Sequence, residues 1–197
     1  SLLWDKSLKG KLGSWGGDFR TNMWYAALHT GQSPNNITDL KAVWAALREQ
    51  RGLMKKYWSS GAELMSLLAN GEIYATVAWS GRVAALQQEG HPIGYLSPKG
   101  TYSWMEYLFV LKGTDMEIAQ KLLNFMLEPA AAIAVAEGQN DPPSLDPSKV
   151  ELTDKINKMP AFDPNGKLDG YLFADPAYWN ANQLDWTEKW DRIKAGS

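Results

Sequence analysis

The sequence predicts an α/β fold with a largely parallel sheet flanked by helices, and three observations carry that prediction. Segments of strand character alternate with segments of helical periodicity along most of the chain, the order that builds a sheet with helices on its faces. Glycine, alone or beside serine, stands where one kind of segment gives way to the other, as at Gly16-Gly17, Gly31, Gly52, Gly71 and Ser80-Gly81. The alternation is not a repeat, since the chain has no internal repeat and no low-complexity tract.

In chain order, Lys11–Trp15 is expected as a short strand running into Gly16-Gly17. A helix is predicted over Phe19–Thr30, with Gly31 as its stop because glycine accepts the left-handed conformation at a helix end. Thr38-Asp39 announces a second helix, in which Leu40, Val43, Trp44 and Leu47 follow i, i+3, i+4, i+7 spacing, and Gly52 ends it. Lys56–Trp58 is a strand candidate, and Ser59-Ser60 caps a helix predicted over Ala62–Asn70. Ile73–Trp79 reads as a strand from its β-branched and aromatic residues, and Ser80-Gly81 then turns the chain into a helix over Arg82–Glu89.

Ile93–Leu96 is a further strand candidate, Pro98-Lys99-Gly100 has turn chemistry, and Ser103–Leu111 is the longest strand expected. Thr114 and Glu117 have capping-box spacing, which places a helix over Asp115–Leu127. Pro129 starts another helix through Glu137, whose run Ala130–Ala136 is expected to face a core. From Ser144 to Asp175 proline, glycine and aspartate accumulate, so short helical turns and irregular chain are expected. Pro176 opens a final helix to Lys194 that carries Trp179, Trp186 and Trp190.

Composition narrows the function. The 197 residues carry a net charge of -2, so no basic surface advertises nucleic acid or an anionic membrane. No apolar run approaches the roughly 20 residues that span a bilayer. The chain opens Ser1-Leu2-Leu3-Trp4-Asp5, without Met or a signal peptide, so an internal start with something upstream is expected. Cysteine is absent, which removes thiol catalysis and cysteine-based zinc sites. His29 and His91 stand far apart without metal-ligand spacing, and no Gly-x-Ser-x-Gly elbow occurs; neither metal nor cofactor is expected. The ten tryptophans are unusual: most are expected in the core, and a minority in a cleft would suit a ligand with a flat or cationic group.

In open α/β sheets ligands bind outside the carboxyl ends of strands. That rule selects Gly16–Thr21, Trp79–Arg82 and Trp104–Glu106. Together they hold two tryptophans (Trp79, Trp104), two carboxylates (Asp18, Glu106) and two arginines (Arg20, Arg82).

The same segments carry a resemblance. Leu3-Trp4-Asp5 with Lys9-Gly10-Lys11, Ala62 through Ile73, Val77-Ala78-Trp79-Ser80-Gly81, Pro98 through Glu106, Ala119 through Pro129 and the closing Lys194-Ala195-Gly196 fall in one order over nearly the whole chain. In that order they resemble the second half of a type II periplasmic solute-binding protein of ABC transporters, in the polyamine and 4-aminobutyrate branch. The resemblance implies a two-lobed protein with a hinge and an interlobe cleft, whose first lobe is absent from this chain. Residues 1–104 would form the second lobe, 105–145 would cross back to pack on the first lobe, and 146–197 would return. It further implies a periplasmic location, an export signal in the missing N-terminal part, an ABC permease as membrane partner, and no enzymatic activity. A lone chain of this kind should expose the apolar faces of the 115–137 helices.

Carried over by position, the polyamine binders of the family place an aspartate at Asp18, tryptophans at Trp79 and Trp104, and an aspartate at Glu106. Two departures stand out: those proteins carry a second acid where this chain has Thr21, and no basic residue is expected at Arg82. Losing an anion and gaining a cation suits a solute with one amine and one carboxylate, because arginine grips carboxylate with a planar fork. An ω-amino acid such as 4-aminobutyrate is therefore expected, its amine toward Glu106 and the tryptophans and its carboxylate toward Arg82 or Arg20.

Each candidate also has a plain structural use. Asp18 can cap the Phe19 helix, Arg20 can pair with Asp18, the tryptophans can be core, and Glu106 in an apolar strand can hold a salt bridge. Asn180 and Gln183 have no assignment. Three rival functions stay open: a glycosidase using Asp18 and Glu106, a sugar-binding protein of the same fold, and a piece of an engineered ligand sensor.

Overall fold

The structure is a computed structural model that describes residues 2–166 and 171–196. It divides into two compact units. The first holds the chain up to Trp79, Pro98–Ser103 and the chain from Tyr171 onward; the second holds Ser80–Ser97 and residues 104–170.

In the first unit β1 (Leu12–Trp15) is the middle strand of a parallel sheet, with β2 (Met54–Trp58) on one side and β3 (Ala75–Thr76) on the other. Trp15 stands opposite Trp58 in the β1–β2 register. In chain order α1 (Phe19–His29) follows β1, α2 (Leu40–Arg51) follows α1, and α3 (Gly61–Ala69) follows β2, each close to the span the sequence predicts. A second parallel pair joins β4 (Thr101–Ser103) to β5 (Tyr171–Phe173). The last two helices are α8 (Pro176–Ala181) and α9 (Gln183–Ala195).

Helix starts are set by side-chain acceptors. Asp39 caps α2 through the Ala42 N–H, and the Ser60 hydroxyl accepts from the Glu63 N–H at the head of α3. Glu63 reaches back to the Ser59 N–H at 2.7 Å and pairs with Lys56 at 3.1 Å. The Ser59 N–H, then Lys56 and the Ser59 hydroxyl, hold its carboxyl below the usual glutamate range. A depressed folded value means stabilisation that is present above the unfolded value and lost as pH falls through the folded one. Amide protection in the first turn of α3 should therefore drop in mild acid, and Glu63→Gln should remove that pH dependence, as measured by hydrogen exchange across pH 3 to 7.

Tryptophan builds the core of the first unit. Trp24, Trp179 and Trp190 are fully buried beside Leu12, Met23, Val43 and Leu47. Trp179 lies 6.0 Å from Trp24, 6.0 Å from Phe19 and 5.5 Å from Trp186 between ring centroids. A smaller cluster joins Trp58, Leu64, Leu67 and Ile73.

The second unit contains α4 (Ser80–Gln88), α5 (Met116–Leu127), α6 (Pro129–Gln139) and α7 (Asp154–Asn157). One small core of Ala136, Ile156 and Met159 packs with Ile133, Leu152 and Phe162. α5 buries none of its residues, and Met116, Ile118, Leu122, Phe125 and Leu127 are exposed.

Several expectations are corrected. The predicted strand Ser103–Leu111 is a strand only as far as Ser103, and Tyr107, Leu108, Phe109 and Leu111 stand exposed. Strand propensity is realised only against a partner edge, and residues 104–111 have no ladder among the described residues. Ile73–Trp79 shortens to Ala75–Thr76, because the Thr76 hydroxyl donates to the Val77 carbonyl beside it and accepts the Trp58 indole N–H. Ile93–Leu96 is irregular; Gln87 donates to the Ile93 carbonyl, the role a ladder partner would have taken.

Thr114 does not cap α5: Asp115 does, accepting from the Glu117 and Ile118 N–H groups. Of the Ala130–Ala136 run only Ala136 is buried. The final helix is two helices meeting at Asn182, whose side chain donates to the Tyr178 carbonyl. β5 lies where irregular chain was expected.

Candidate functional site

In the first unit β1 delivers the chain into Gly16-Gly17 and then α1. The turn is tight: a Cβ on Gly17 would fall 1.8 Å from the Trp15 ring, so only glycine lets the chain fold back over that indole. Asn22 secures the turn from α1, donating to the Trp15 carbonyl at 2.6 Å and accepting from the Ser14 hydroxyl at 2.7 Å. Lys194 from α9 donates to the Gly16 carbonyl at 3.1 Å.

Asp18 is the N-cap of α1, with Oδ1 accepting from the Arg20 N–H at 2.6 Å and the Thr21 N–H at 3.4 Å. The structural use of Asp18 is thus realised, and it occupies one carboxylate oxygen. Thr21 is buried in the first turn. The Arg20 guanidinium does not pair with Asp18. It donates to Gln183 Oε1 at 2.9 Å and Asn180 Oδ1 at 3.4 Å, and lies 5.2 Å from the Phe19 ring centroid. A cleft of about 210 Å³ between α1 and α9 is lined by Asp18, Arg20, Gln183, Thr187 and Asp191, among others. Nearby, burial raises the Tyr102 phenol pKa; Asp18 adds to the shift and Arg20 opposes it.

Trp79 closes the first unit and is half-buried. It packs 5.1 Å from Trp15 and 5.1 Å, edge to face, from Trp58. Trp15 and Trp58 lie 4.8 Å apart, so three indoles from the ends of three neighbouring segments support one another. Both supporting indoles escaped the sequence reading. The register that sets Trp15 opposite Trp58 is a pairing fact that a single strand does not reveal.

The second unit holds the remaining candidates. Arg82 is exposed in the first turn of α4, and Glu106 is exposed in the irregular stretch after β4. The expectation of Glu106 as a carboxylate within an apolar strand is overturned. Neither Arg82 nor Glu106 forms an ion pair among the described residues. Trp104 is exposed, unlike most of the tryptophans. The structure therefore brings Asp18, Arg20 and Thr21 to one helix start, sets Trp79 on an indole cluster in the same unit, and carries Arg82, Trp104 and Glu106 on the other unit.

A parallel sheet whose strand ends carry a glycine turn, a capped helix and an indole cluster fits a solute-binding body. The chain belongs to the bacterial extracellular solute-binding proteins, whose family model matches residues 2–164. It is 35% identical over 75 residues to the γ-aminobutyric acid-binding protein of Pseudomonas aeruginosa, covering 38% of this chain and 21% of that protein. It is 33% identical over 138 residues to the spermidine/putrescine-binding periplasmic protein of Escherichia coli, covering 68% of this chain and 39% of that protein.

Among solved structures a GABA receptor superimposes with a TM-score of 0.82 at 23% identity, covering 99% of this chain and 61% of that one. The spermidine/putrescine substrate-binding protein of Streptococcus pneumoniae superimposes with a TM-score of 0.73 at 18% identity, covering 98% and 61%. These likenesses establish the fold as that of type II periplasmic-binding proteins, of whose length this chain spans about three-fifths.

Proposed function

We propose that this chain is part of the solute-binding component of an ABC importer, which captures a small amine-bearing solute between two lobes and catalyses no reaction. The solute proposed is an ω-amino acid such as 4-aminobutyrate. The observation that carries this choice is the distribution of charge among the candidates. Thr21, where the resemblance implies a second acid in the polyamine binders, is buried and uncharged, while Arg82 and Glu106 offer unlike exposed charges with no ion-pair partner among the described residues.

Glu106 and the remaining oxygen of Asp18 would take the ammonium, with Trp79 and Trp104 stacking on it for about 0.5–2 kcal/mol each. Arg82 is the better anchor for the carboxylate, because the Arg20 guanidinium already serves Gln183 and Asn180. Polyamine binding is the second reading, supported by the relatives named for spermidine and putrescine.

The other wall of the cleft would come from the two-fifths of the related structures that this chain does not span, with residues 105–145 packing on it. The exposed apolar side chains of 107–111 and of α5 support that assignment, since patches of this kind mark interaction surfaces. Export to the periplasm and docking on a membrane permease belong to the same proposal. The test is titration of the 197-residue chain alone and joined to a first lobe. Closure about the hinge needs both lobes, so the chain alone should bind 4-aminobutyrate weakly or not at all. Nanomolar to low-micromolar binding by the chain alone would contradict the cleft.

A further inference from the structure

The corner that ends α6 lies along α4. Asn140 takes φ 59°, the one non-glycine residue with positive φ among the described residues, and asparagine tolerates that left-handed turn better than most side chains. The turn lays Gln139, Asn140 and Asp141 against both ends of α4. At the far end Asn140 Oδ1 accepts from Gln88 Nε2 at 2.9 Å. At the near end Asp141 Oδ1 accepts from the Ser80 hydroxyl at 3.0 Å.

Gly81 is fitted to this arrangement. A Cβ there would stand 2.9 Å from each oxygen of the Asp141 carboxylate and 2.9 Å from the Gln139 carbonyl oxygen. No side chain is accommodated at such distances without moving the corner. A carboxylate at the first turn of a helix is also favourable toward the helix dipole, whereas the Arg82 cation in that same turn is not. Asp141, in the corner after α6, sets its carboxylate beside Ser80 and Gly81 in that turn.

We propose that Asp141 is a positioning residue for solute recognition: with Gln139 and Asn140 it clamps α4 at both ends and fixes the Ser80–Gly81–Arg82 turn from which the Arg82 guanidinium reaches a carboxylate. This rests on the reading of Arg82 as a carboxylate anchor, but the clamp itself is tested without any solute. In the 197-residue chain, Asp141→Ala should speed amide exchange across α4 about tenfold, the scale of losing a helix-end contact, while α1 and α2 keep their protection. Asp141→Asn keeps an acceptor for the Ser80 hydroxyl and should stay within about threefold of the unsubstituted chain. Gly81→Ala, which pushes the corner off by contact alone, should reproduce the Asp141→Ala exchange pattern.

The second arm separates positioning from general stability. In the two-lobed protein Asp141→Ala should weaken 4-aminobutyrate about tenfold and putrescine less than about twofold, since only the former has a carboxylate for Arg82. Unchanged exchange in α4 overturns the clamp. Equal losses for the two solutes overturn the positioning role. If the unsubstituted two-lobed protein binds neither solute, the reading of Arg82 fails, and the exchange arm still decides the clamp.

Discussion

Trp179→Ala should destabilise the first unit by about 3–5 kcal/mol, the range seen when a large aromatic is deleted from a packed core. Trp179 is 1% exposed and touches Phe19, Trp24, Tyr178 and Trp186, so its loss opens a cavity that rigid rings close poorly. It also breaks a polar staple. Asn35 Oδ1 accepts both the Trp179 indole N–H at 2.9 Å and the Asp175 N–H at 2.9 Å, while its amide donates to the Phe173 carbonyl. That single asparagine ties the loop before α2 to β5 and to the start of α8. Trp179→Phe keeps most of the ring contact and loses the hydrogen bond, so about 1–2 kcal/mol is expected. Denaturant midpoints followed by near-ultraviolet circular dichroism measure both. A loss below about 1 kcal/mol for the alanine variant would contradict the placement of Trp179 at the centre of the core.

The second large effect is on binding. In the two-lobed protein Arg82→Ala and Glu106→Gln should each cost about 2–4 kcal/mol for 4-aminobutyrate, because each leaves one end of the solute's charge without its partner. The two variants should part company on putrescine. Glu106→Gln weakens it as well, since an ammonium loses its counter-charge, whereas Arg82→Ala leaves it unchanged or tightens it by removing a like charge. Arg20→Ala provides the contrast, because its contacts run to Gln183 and Asn180 and its loss should appear mainly as lower stability at the α8–α9 junction. Equal responses of both solutes to Arg82→Ala would remove Arg82 from the carboxylate's end of the site.

Local signals in the sequence were enough for several helix starts and stops. Asp39, Ser60 and Pro129 mark helix starts because their roles depend on neighbours within four residues, and Gly31 and Gly71 mark stops for the same reason. The strands were less legible. Leu12–Trp15 forms because β2 and β3 flank it on both sides, while Tyr107–Leu111 has equal strand character and no ladder among the described residues. What separates them is the presence of an edge to pair with, a property of the whole fold and not of the segment. β5 and the break at Asn182 were missed because each is set by distant or side-chain partners, the β4 strand in one case and the Tyr178 carbonyl in the other.

The candidate site was legible in part. The glycine turn, the Asp18 cap and the tryptophan after β3 were visible as strand-end chemistry. The destination of Arg20 was not, because Asn180 and Gln183 lie some 160 residues further along the chain. Nor was the support of Trp79 by Trp15 and Trp58, which depends on strand register. Glu106 is expected within a strand and lies exposed in the irregular stretch after β4, because no partner edge pairs with that stretch among the described residues.

The measurement that bears most directly on the central claim is calorimetric titration of the two-lobed protein with 4-aminobutyrate, putrescine and maltose in turn. Saturable heat with 4-aminobutyrate, and little or none with the other two, is the result expected of a site with one place for an amine and one for a carboxylate. Heat with putrescine alone would mean that Arg82 faces away from the solute, and heat with maltose alone would replace the amine site by a sugar site on the same fold.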